Sequence, residues 1–283
     1  MRYRVRHRNR YKYGQPVSLC HSHATLLPRD TLNQQVLGAR LTILPIIEDM
    51  HERQDLFGNR VSQFSVDEVH TELNVLAESE VEVRSNRIDP GRDVAWADTS
   101  ATPAKTRLFL RPSLYVPLGN QAVEQFAEQF FGRASGLLEA TNALNEYVFH
   151  EFVYDQNFSD VETPVSFVLS ERRGVCQDFA HLMLAVLRCK GIACRYVSGY
   201  LETDPSPGQP KLMGADASHA WVSVFLPGTG WIDFDPTNGL LPSERHVTLA
   251  WGRDYGDVVP LKGLMTGGSQ HALEVSVDVT ALE

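Results

Sequence analysis

The stretch RGVCQDFAHLMLAVL, residues 173–187, decides the fold of this chain. Its apolar residues recur at three- and four-residue intervals and stop before Gly191, which predicts a buried helix that ends there. Cys176 lies where this helix begins. A helix N-terminus carries partial positive charge and unpaired N–H groups, which favour a thiolate. Cys176 is therefore a candidate nucleophile, with a buried structural cysteine as the alternative.

The residues that follow the helix predict an antiparallel sheet. Strands are expected over 192–200, 219–226 and 231–235, and the turn sequence PGTG occupies residues 227–230. The Pro- and Gly-bearing segment 202–218 is predicted to be a loop, either facing the substrate or simply connecting strands on the surface. A helix that precedes an antiparallel sheet predicts an α+β fold class.

A thiolate nucleophile needs a base, and the base needs a group that orients it. His219 and Asp235 would lie directly opposite each other in a hairpin centred on Pro227. Asp233 would need a centre inside the apolar strand, so Asp235 is the preferred partner, although a bulge could shift the pairing. His181 is the rival base, and we expect it to be a buried, hydrogen-bonded residue of the helix.

The chain upstream of this helix divides by pattern into three segments. Residues 1–85 are β-rich, with strands predicted at 36–47, 61–66 and 70–83. Residues 86–119 form a Pro/Gly-punctuated linker that partly packs, and two helices are predicted between 120 and 153. The predicted domains are therefore 1–85, the linker 86–119, and a catalytic core with a C-terminal strand over 120–283.

The composition is that of a globular protein with an uneven charge. The chain has 283 residues, of which 43% are hydrophobic and 22% charged, and its net charge is −9, which argues against a nucleic-acid surface. No apolar run is long enough to span a membrane. Basic residues alternate over 2–12, which predicts a strand with one cationic, solvated face: either a charged edge strand or, less simply, a strip that binds a partner.

The four cysteines are too few, and wrongly spaced, for a disulfide-stapled secreted domain. Cys20, Cys189 and Cys194 are expected to be small core residues. With no signal segment predicted at the N-terminus, a reducing cytoplasm is the expected location.

Three motifs resemble those of the transglutaminase-like superfamily. They are GVCQDFAH at 174–181, SHAWV at 218–222 and GWIDFDPTN at 230–238, in the order typical of that family. The Gln-Asp pair after the cysteine resembles the bacterial branch, often described as cysteine proteases. The segments 195–201 and 252–258 also fit, and residues 1–85 resemble the β-rich N-terminal region that accompanies this branch.

The resemblance implies a papain-like core in which Cys176 is the nucleophile, His219 the general base and acid, and Asp235 the residue that orients it. It implies acyl transfer at amide or peptide bonds through a thioester. Animal transglutaminases carry an aromatic residue where this chain has Gln177, and they have added calcium-binding and β-sandwich domains. Calcium-regulated cross-linking is therefore not inferred.

The expected activity is that of a cysteine peptidase or amidase acting on a peptide or protein substrate. A transglutaminase that uses an amine acceptor and a catalytically silent binding module are the alternatives. We expect no cofactor, no nucleic-acid partner and no membrane partner. A zinc site is disfavoured because the sequence lacks two close ligand pairs.

The Cys176 N–H is one candidate oxyanion donor, and Gln177 and Tyr154 are guesses for the second. The sequence does not predict the oligomeric state.

Overall fold

The computed structural model describes residues 1–85, 93–95, 103–132, 136–203 and 218–282. It has the α+β architecture that the sequence predicts, with a β-rich N-terminal region and a core of helices on an antiparallel sheet. The α-helices are α1 (Gln121–Phe131), α2 (Leu137–Glu151), α3 (Val165–Glu171) and α4 (Cys176–Cys189), and short 3-10 helices span Ala104–Leu110 and Tyr255–Asp257. Helix α3 has no counterpart in the sequence-based prediction.

The first sheet is built around one long strand, β1 (Arg2–Ala24). Its other strands are β2 (Gln34–Leu44), β3 (Met50–Gln54), β4 (Arg60–Val66), β5 (His70–Val83), β12 (Leu261–Gly267) and β13 (His271–Leu282). The order is β2-β5-β1-β4-β3, and β12 and β13 also pair with β1. Along its first half β1 therefore lies between β5 and β13, and along its second half between β4 and β12.

The basic strand is central, so the prediction of a charged edge strand is wrong. Four of its cations, Arg4, Arg6, Arg10 and Lys12, are paired with acidic side chains of the neighbouring strands; Arg4 contacts Glu80 at 2.8 Å and Lys12 contacts Glu274 at 2.6 Å. The alternation itself is confirmed, because Tyr3 and the other odd-numbered residues up to 9 are buried on the opposite face. Periodicity predicted the two faces of the strand. The acidic partners of its cations lie some 70 and 260 residues away in sequence, so no local pattern could predict them.

The second sheet contains the predicted site residue His219, and one of its strands ends just before Asp235. Its strands are β8 (Cys194–Leu201), β9 (Ser218–Leu226), β10 (Gly230–Phe234) and β11 (His246–Gly252), in the antiparallel order β10-β9-β8-β11. A short parallel pair, β6 (Val153–Tyr154) and β7 (Arg173–Gly174), lies just before α4 in the chain.

Helix α4 is the centre of the core. It packs on β8 and β9 and also contacts α1 and α3, so every residue from Asp178 to Arg188 is buried. The sequence predicted a single buried stripe, which is too narrow, because other helices cover the side of α4 that faces away from the sheet. Cys20 and Cys194 are buried, Cys189 is half-buried, and all four cysteines are free.

The C-terminal strands complete the sheet of the N-terminal region. Residues 261–267 and 271–282 pair antiparallel with β1, whereas the sequence grouped them with the core. The boundaries 1–85, 86–119 and 120–283 stay a prediction, since strand pairing alone does not define folding units. In the described part of the linker, Phe109 and Val116 are buried.

None of the described helices combines the length and the apolar character needed to cross a lipid bilayer.

Candidate active site

Cys176 is the first residue of α4, as the sequence predicts. The start of this helix is held by Asp178, whose carboxylate accepts the Val175 N–H at 2.7 Å and a short hydrogen bond from the Ser159 hydroxyl. Asp178 is only 2% exposed. Gly174 leaves room for it, because a Cβ at that position would lie 2.7 Å from the Asp178 carboxylate. A buried carboxylate therefore positions the turn that presents Cys176.

We expect Asp178→Ala to lower the free energy of unfolding by about 1–3 kcal/mol, because two partly buried donors, the Val175 N–H and the Ser159 hydroxyl, lose their acceptor. Cys176 should also react more slowly with iodoacetamide as the first turn of α4 loosens. Urea unfolding and the rate of thiol labelling measure the two effects. The exposed Asp160 is the matched control, and Asp160→Ala should change both far less. Wild-type stability and labelling in Asp178→Ala would contradict this role for Asp178.

His219 and Asp235 meet, but not in the predicted register. Gly230 pairs with Leu226 and Phe234 with Val222, so the hairpin is centred on Gly228 rather than Pro227. Asp235 therefore lies diagonal to His219, and diagonal neighbours on one face of a sheet remain within reach of long side chains. The His219 Nε2 to Asp235 Oδ2 distance is 2.8 Å. Asp233 instead accepts the Trp221 indole N–H at 3.1 Å.

Asp235 is fully buried and surrounded by donors. Its Oδ1 accepts the backbone N–H groups of Thr237 and Asn238, and its Oδ2 accepts the Asn238 side-chain amide at 2.8 Å and His246 Nε2 at 3.1 Å. Burial alone would raise the pKa of Asp235, but the hydrogen bonds from His219, His246 and Asn238 hold it well below its usual range. Asp235 is therefore ionised at neutral pH.

Sequence reasoning missed His246 and Asn238. Asn238 had a local signal, because Asp-Pro-Thr-Asn is a turn sequence in which an aspartate accepts backbone N–H groups two and three residues later. His246 had none, since it reaches Asp235 only through the pairing of β11 with β8. The Ser243 N–H donates to His246 Nδ1 at 3.3 Å, which leaves the proton on Nε2 to donate to Asp235.

His219, Asp235 and His246 are also the group of side chains that could hold a metal ion, with ligand atoms within 4.8 Å of one another. A zinc ion keeps its ligands about 2.0–2.2 Å from itself and spreads them at tetrahedral angles, so they lie farther apart than hydrogen-bonded atoms. The two nitrogen–oxygen distances of 2.8 and 3.1 Å are hydrogen-bond distances. The cluster is therefore arranged as a hydrogen-bond network.

The Asn238 amide nitrogen lies 3.5 Å from His219 Nε2, and Cys176 is close enough to His219 to raise its pKa. Because Asp235 occupies Nε2, the nitrogen left for the thiol is Nδ1. Burial lowers the pKa of His219, but the hydrogen bonds to Asp235 and Cys176 outweigh it and raise the pKa to about 10. The three residues predicted as the site are thus brought together, with an imidazolium between the sulfur and a carboxylate.

The raised pKa of His219 predicts how stability depends on pH. Between the ordinary pKa of 6.5 and the folded value of about 10, the folded protein binds more protons than the unfolded chain. The stabilisation from His219 is therefore complete below pH 6.5 and is lost as the pH rises through about 10. Urea unfolding should show the free energy falling more steeply over this window in the wild type than in His219→Gln. The exposed His150 is the control, since His150→Gln should keep the wild-type slope, and equal slopes in all three proteins would contradict the prediction.

The two side chains suggested as second oxyanion donors differ in their surroundings. The Gln177 amide donates to the Val161 carbonyl at 3.4 Å, so it is engaged outside the site. Burial and the nearby Cys176 raise the pKa of Tyr154, which remains 47% exposed. Tyr154 pairs with Gly174, two residues before Cys176, and is the better placed of the two.

The rival base and the predicted loop lie apart from this arrangement. His181 is buried, accepts the Tyr255 N–H at 3.2 Å and stacks on Tyr115, and burial lowers its pKa to about 4. It is the hydrogen-bonded helix residue that we expected. Most of the predicted loop 202–218 falls outside the described residues, so its role facing the substrate stays a prediction.

Two family comparisons match most of the chain. The transglutaminase-like superfamily matches residues 124–236, and the bacterial transglutaminase-like N-terminal region matches residues 3–82. An uncharacterized protein of Mycobacterium tuberculosis is 37% identical over all of this chain and 93% of its own length.

Two further likenesses are more limited. A protein-glutamine gamma-glutamyltransferase of Pseudomonas aeruginosa is 38% identical, over 36% of this chain and 16% of its own length. A candidate cysteine protease from Cytophaga hutchinsonii has a solved structure that covers 100% of this chain and 92% of its own, with a TM-score of 0.82 and 21% identity. At 21% identity, the likeness to the Cytophaga protein shows a shared fold and no more.

Proposed function

We propose, because this chain belongs to the transglutaminase-like superfamily, that it is a cysteine-dependent acyl-transfer enzyme acting on amide or peptide bonds. The observation that carries the proposal is the hydrogen bond between His219 and Asp235, with Cys176 close enough to His219 to raise its pKa. A nucleophile, a base and a group that orients the base are the parts that thiol acyl transfer requires.

In the first half of the proposed cycle, the Cys176 sulfur attacks the amide carbonyl and a carbon–sulfur bond forms. The carbon–nitrogen bond then breaks, and His219 gives its Nδ1 proton to the leaving amine. Asp235 keeps the ring in the orientation that places Nδ1 at the sulfur. The Cys176 N–H is a candidate oxyanion donor, because the first N–H groups of a helix have no partner within the helix.

In the second half, an acceptor attacks the thioester and loses a proton to His219. The carbon–sulfur bond breaks and the thiolate is restored beside the imidazolium. Water as the acceptor makes the enzyme a peptidase or amidase, which is our first choice. A primary amine makes it a transglutaminase, and the partial likeness to the Pseudomonas gamma-glutamyltransferase is the observation that favours this second candidate.

The experiment is incubation of the protein with a peptide library, with and without a primary amine, followed by mass spectrometry. We expect Cys176 to be labelled stoichiometrically by iodoacetamide and the peptides to be cleaved or deamidated. Amine incorporation would instead select the transglutaminase. An unreactive Cys176 together with unchanged peptides would overturn the enzyme proposal and leave a silent binding module.

The substrate, the absence of a cofactor and the cellular compartment are part of the same proposal. The substrate is a peptide or protein, with no cofactor taking part. The free state of all four cysteines supports a reducing compartment such as the cytoplasm.

A further inference from the structure

A column of alternating cations and aromatic rings lies on the second sheet, apart from Cys176. The Arg195 guanidinium carbon is 3.6 Å from the centre of the Trp251 ring and 4.2 Å from that of Trp231. Arg29 lies 3.4 Å from the centre of Trp251. Two guanidinium groups that close to one indole must occupy its opposite faces. Arg195 is therefore held flat between two tryptophan rings, with Arg29 beyond one of them.

Arg195 has no hydrogen-bond acceptor in the described part of the chain, although it is only 9% exposed. Its Nε is sealed from solvent without a partner. Arg188, which is 3% exposed, shows what a satisfied buried arginine looks like here: it donates to the Phe109 carbonyl, the Ser113 hydroxyl and the Cys194 carbonyl at 3.1–3.2 Å. Arg29 likewise donates to Asn59 at 2.7 Å. Arg195 thus differs from its buried counterparts in having its donors unused.

Arg195 lines a cleft of about 260 Å³. Its walls include Trp231, Trp251, Asn33 and Thr248, and also Asp233. Asp233 accepts the Trp221 indole N–H and forms no ion pair with Arg195 in the part of the chain that the structure describes. The positive and the negative side chain therefore face the same small space without closing on each other.

We propose that this cleft binds the carboxylate group of a small molecule or peptide end, with Arg195 as its partner. A guanidinium presents a planar fork of donors that matches a carboxylate at two points. The two tryptophan rings hold this fork in place before a ligand arrives, which reduces the ordering cost of binding. The size of the cleft favours a small ligand over a large one.

The charges around the cleft support this choice. Burial lowers the pKa of Arg195 to about 9, against the opposing effect of Asp233, so the side chain is charged at neutral pH. Arg29 adds a second cation behind Trp251. A carboxylate has two sources, a free amino acid or the C-terminus of a peptide. An ammonium group beside the carboxylate would meet Asp233, which favours the free amino acid.

The test is a tryptophan fluorescence titration of the wild-type protein at constant ionic strength with L-alanine, N-acetyl-L-alanine and L-alaninamide. We expect a saturable change in the millimolar range or below with the two carboxylates and none with the amide. Tighter binding of L-alanine would identify the free amino acid as the source. Tighter binding of N-acetyl-L-alanine, which lacks the ammonium, would identify the peptide end.

Arg195→Met should weaken binding of both carboxylates at least tenfold. The exposed Arg40 is the matched control, and Arg40→Met should bind as the wild type does. If Arg195→Met does not fold, the comparison of L-alanine with L-alaninamide on the wild-type protein still tests whether binding requires a carboxylate. Equal binding of the amide, or no saturable change with either carboxylate, would overturn the proposal. The result is independent of whether Cys176 is a nucleophile.

Discussion

Replacement of Cys176 by alanine is expected to lower the rate of amide or peptide turnover by about 10⁴-fold or more. In the proposed mechanism the sulfur is the atom that forms the thioester, and alanine has no group that replaces it. His219 and Asp235 would remain in place, because Asp235 and Asn238 still contact the imidazole when the thiol is removed. Mass spectrometry of the peptide products, with and without a primary amine, measures the loss.

Cys189 provides the matched control for this substitution. It is a half-buried free cysteine at the other end of the same helix, and its thiol donates to the Val186 carbonyl. Cys189→Ala should keep the wild-type rate and the iodoacetamide labelling of Cys176. Cleavage, deamidation or amine incorporation that persists in Cys176→Ala would refute the mechanism.

Replacement of Asp235 by asparagine is expected to lower kcat by about 10⁴-fold, the size of effect that follows when the orienting acid of a catalytic triad becomes an amide. An asparagine amide can donate to His219 Nε2, which would move the ring proton to Nδ1 and stop Nδ1 from accepting the thiol proton. The imidazolium would also lose the negative charge that raises its pKa. KM should change little, because Asp235 is fully buried.

The separation of kcat from KM, together with the pH profile of iodoacetamide labelling, distinguishes this role from a merely structural one. In Asp235→Asn, the pH dependence of the labelling rate should no longer show the effect of an imidazolium beside Cys176. The exposed Asp49 contacts His51 at 3.1 Å and is the matched control for an aspartate–histidine contact. Asp49→Asn should leave kcat and the labelling profile unchanged. A wild-type kcat in Asp235→Asn would show that Asp235 does not orient the base.

The sequence predicted the candidate site more closely than it predicted the surroundings of that site. Cys176 could be placed at a helix start because the apolar period of residues 179–187 is a local property. Asp235 was preferred to Asp233 on a hairpin register that proved to be shifted, and the choice held because diagonal neighbours still touch. His246 could not be found, since its contact with Asp235 depends on which strand pairs with β8.

The basic strand shows the same limit of sequence-based prediction. Alternation of Arg2 to Lys12 with apolar residues correctly predicts one buried and one polar face. Whether such a strand is central or at an edge depends on its partners, and here they come from β5 and from the last strand of the chain. No local pattern encodes that pairing, because it joins residues that are far apart in sequence.

By itself, then, the sequence determined the α+β class and the helix that begins at Cys176, and it predicted the three residues of the candidate site. These follow from periodicities and motifs that span a few residues. The tertiary structure alone decided the register that makes Asp235 a diagonal partner, the added donor His246, the central place of β1 and the stacking of Arg195 between two tryptophans. Those features arise from pairing and burial between distant segments, which depend on how the whole chain packs.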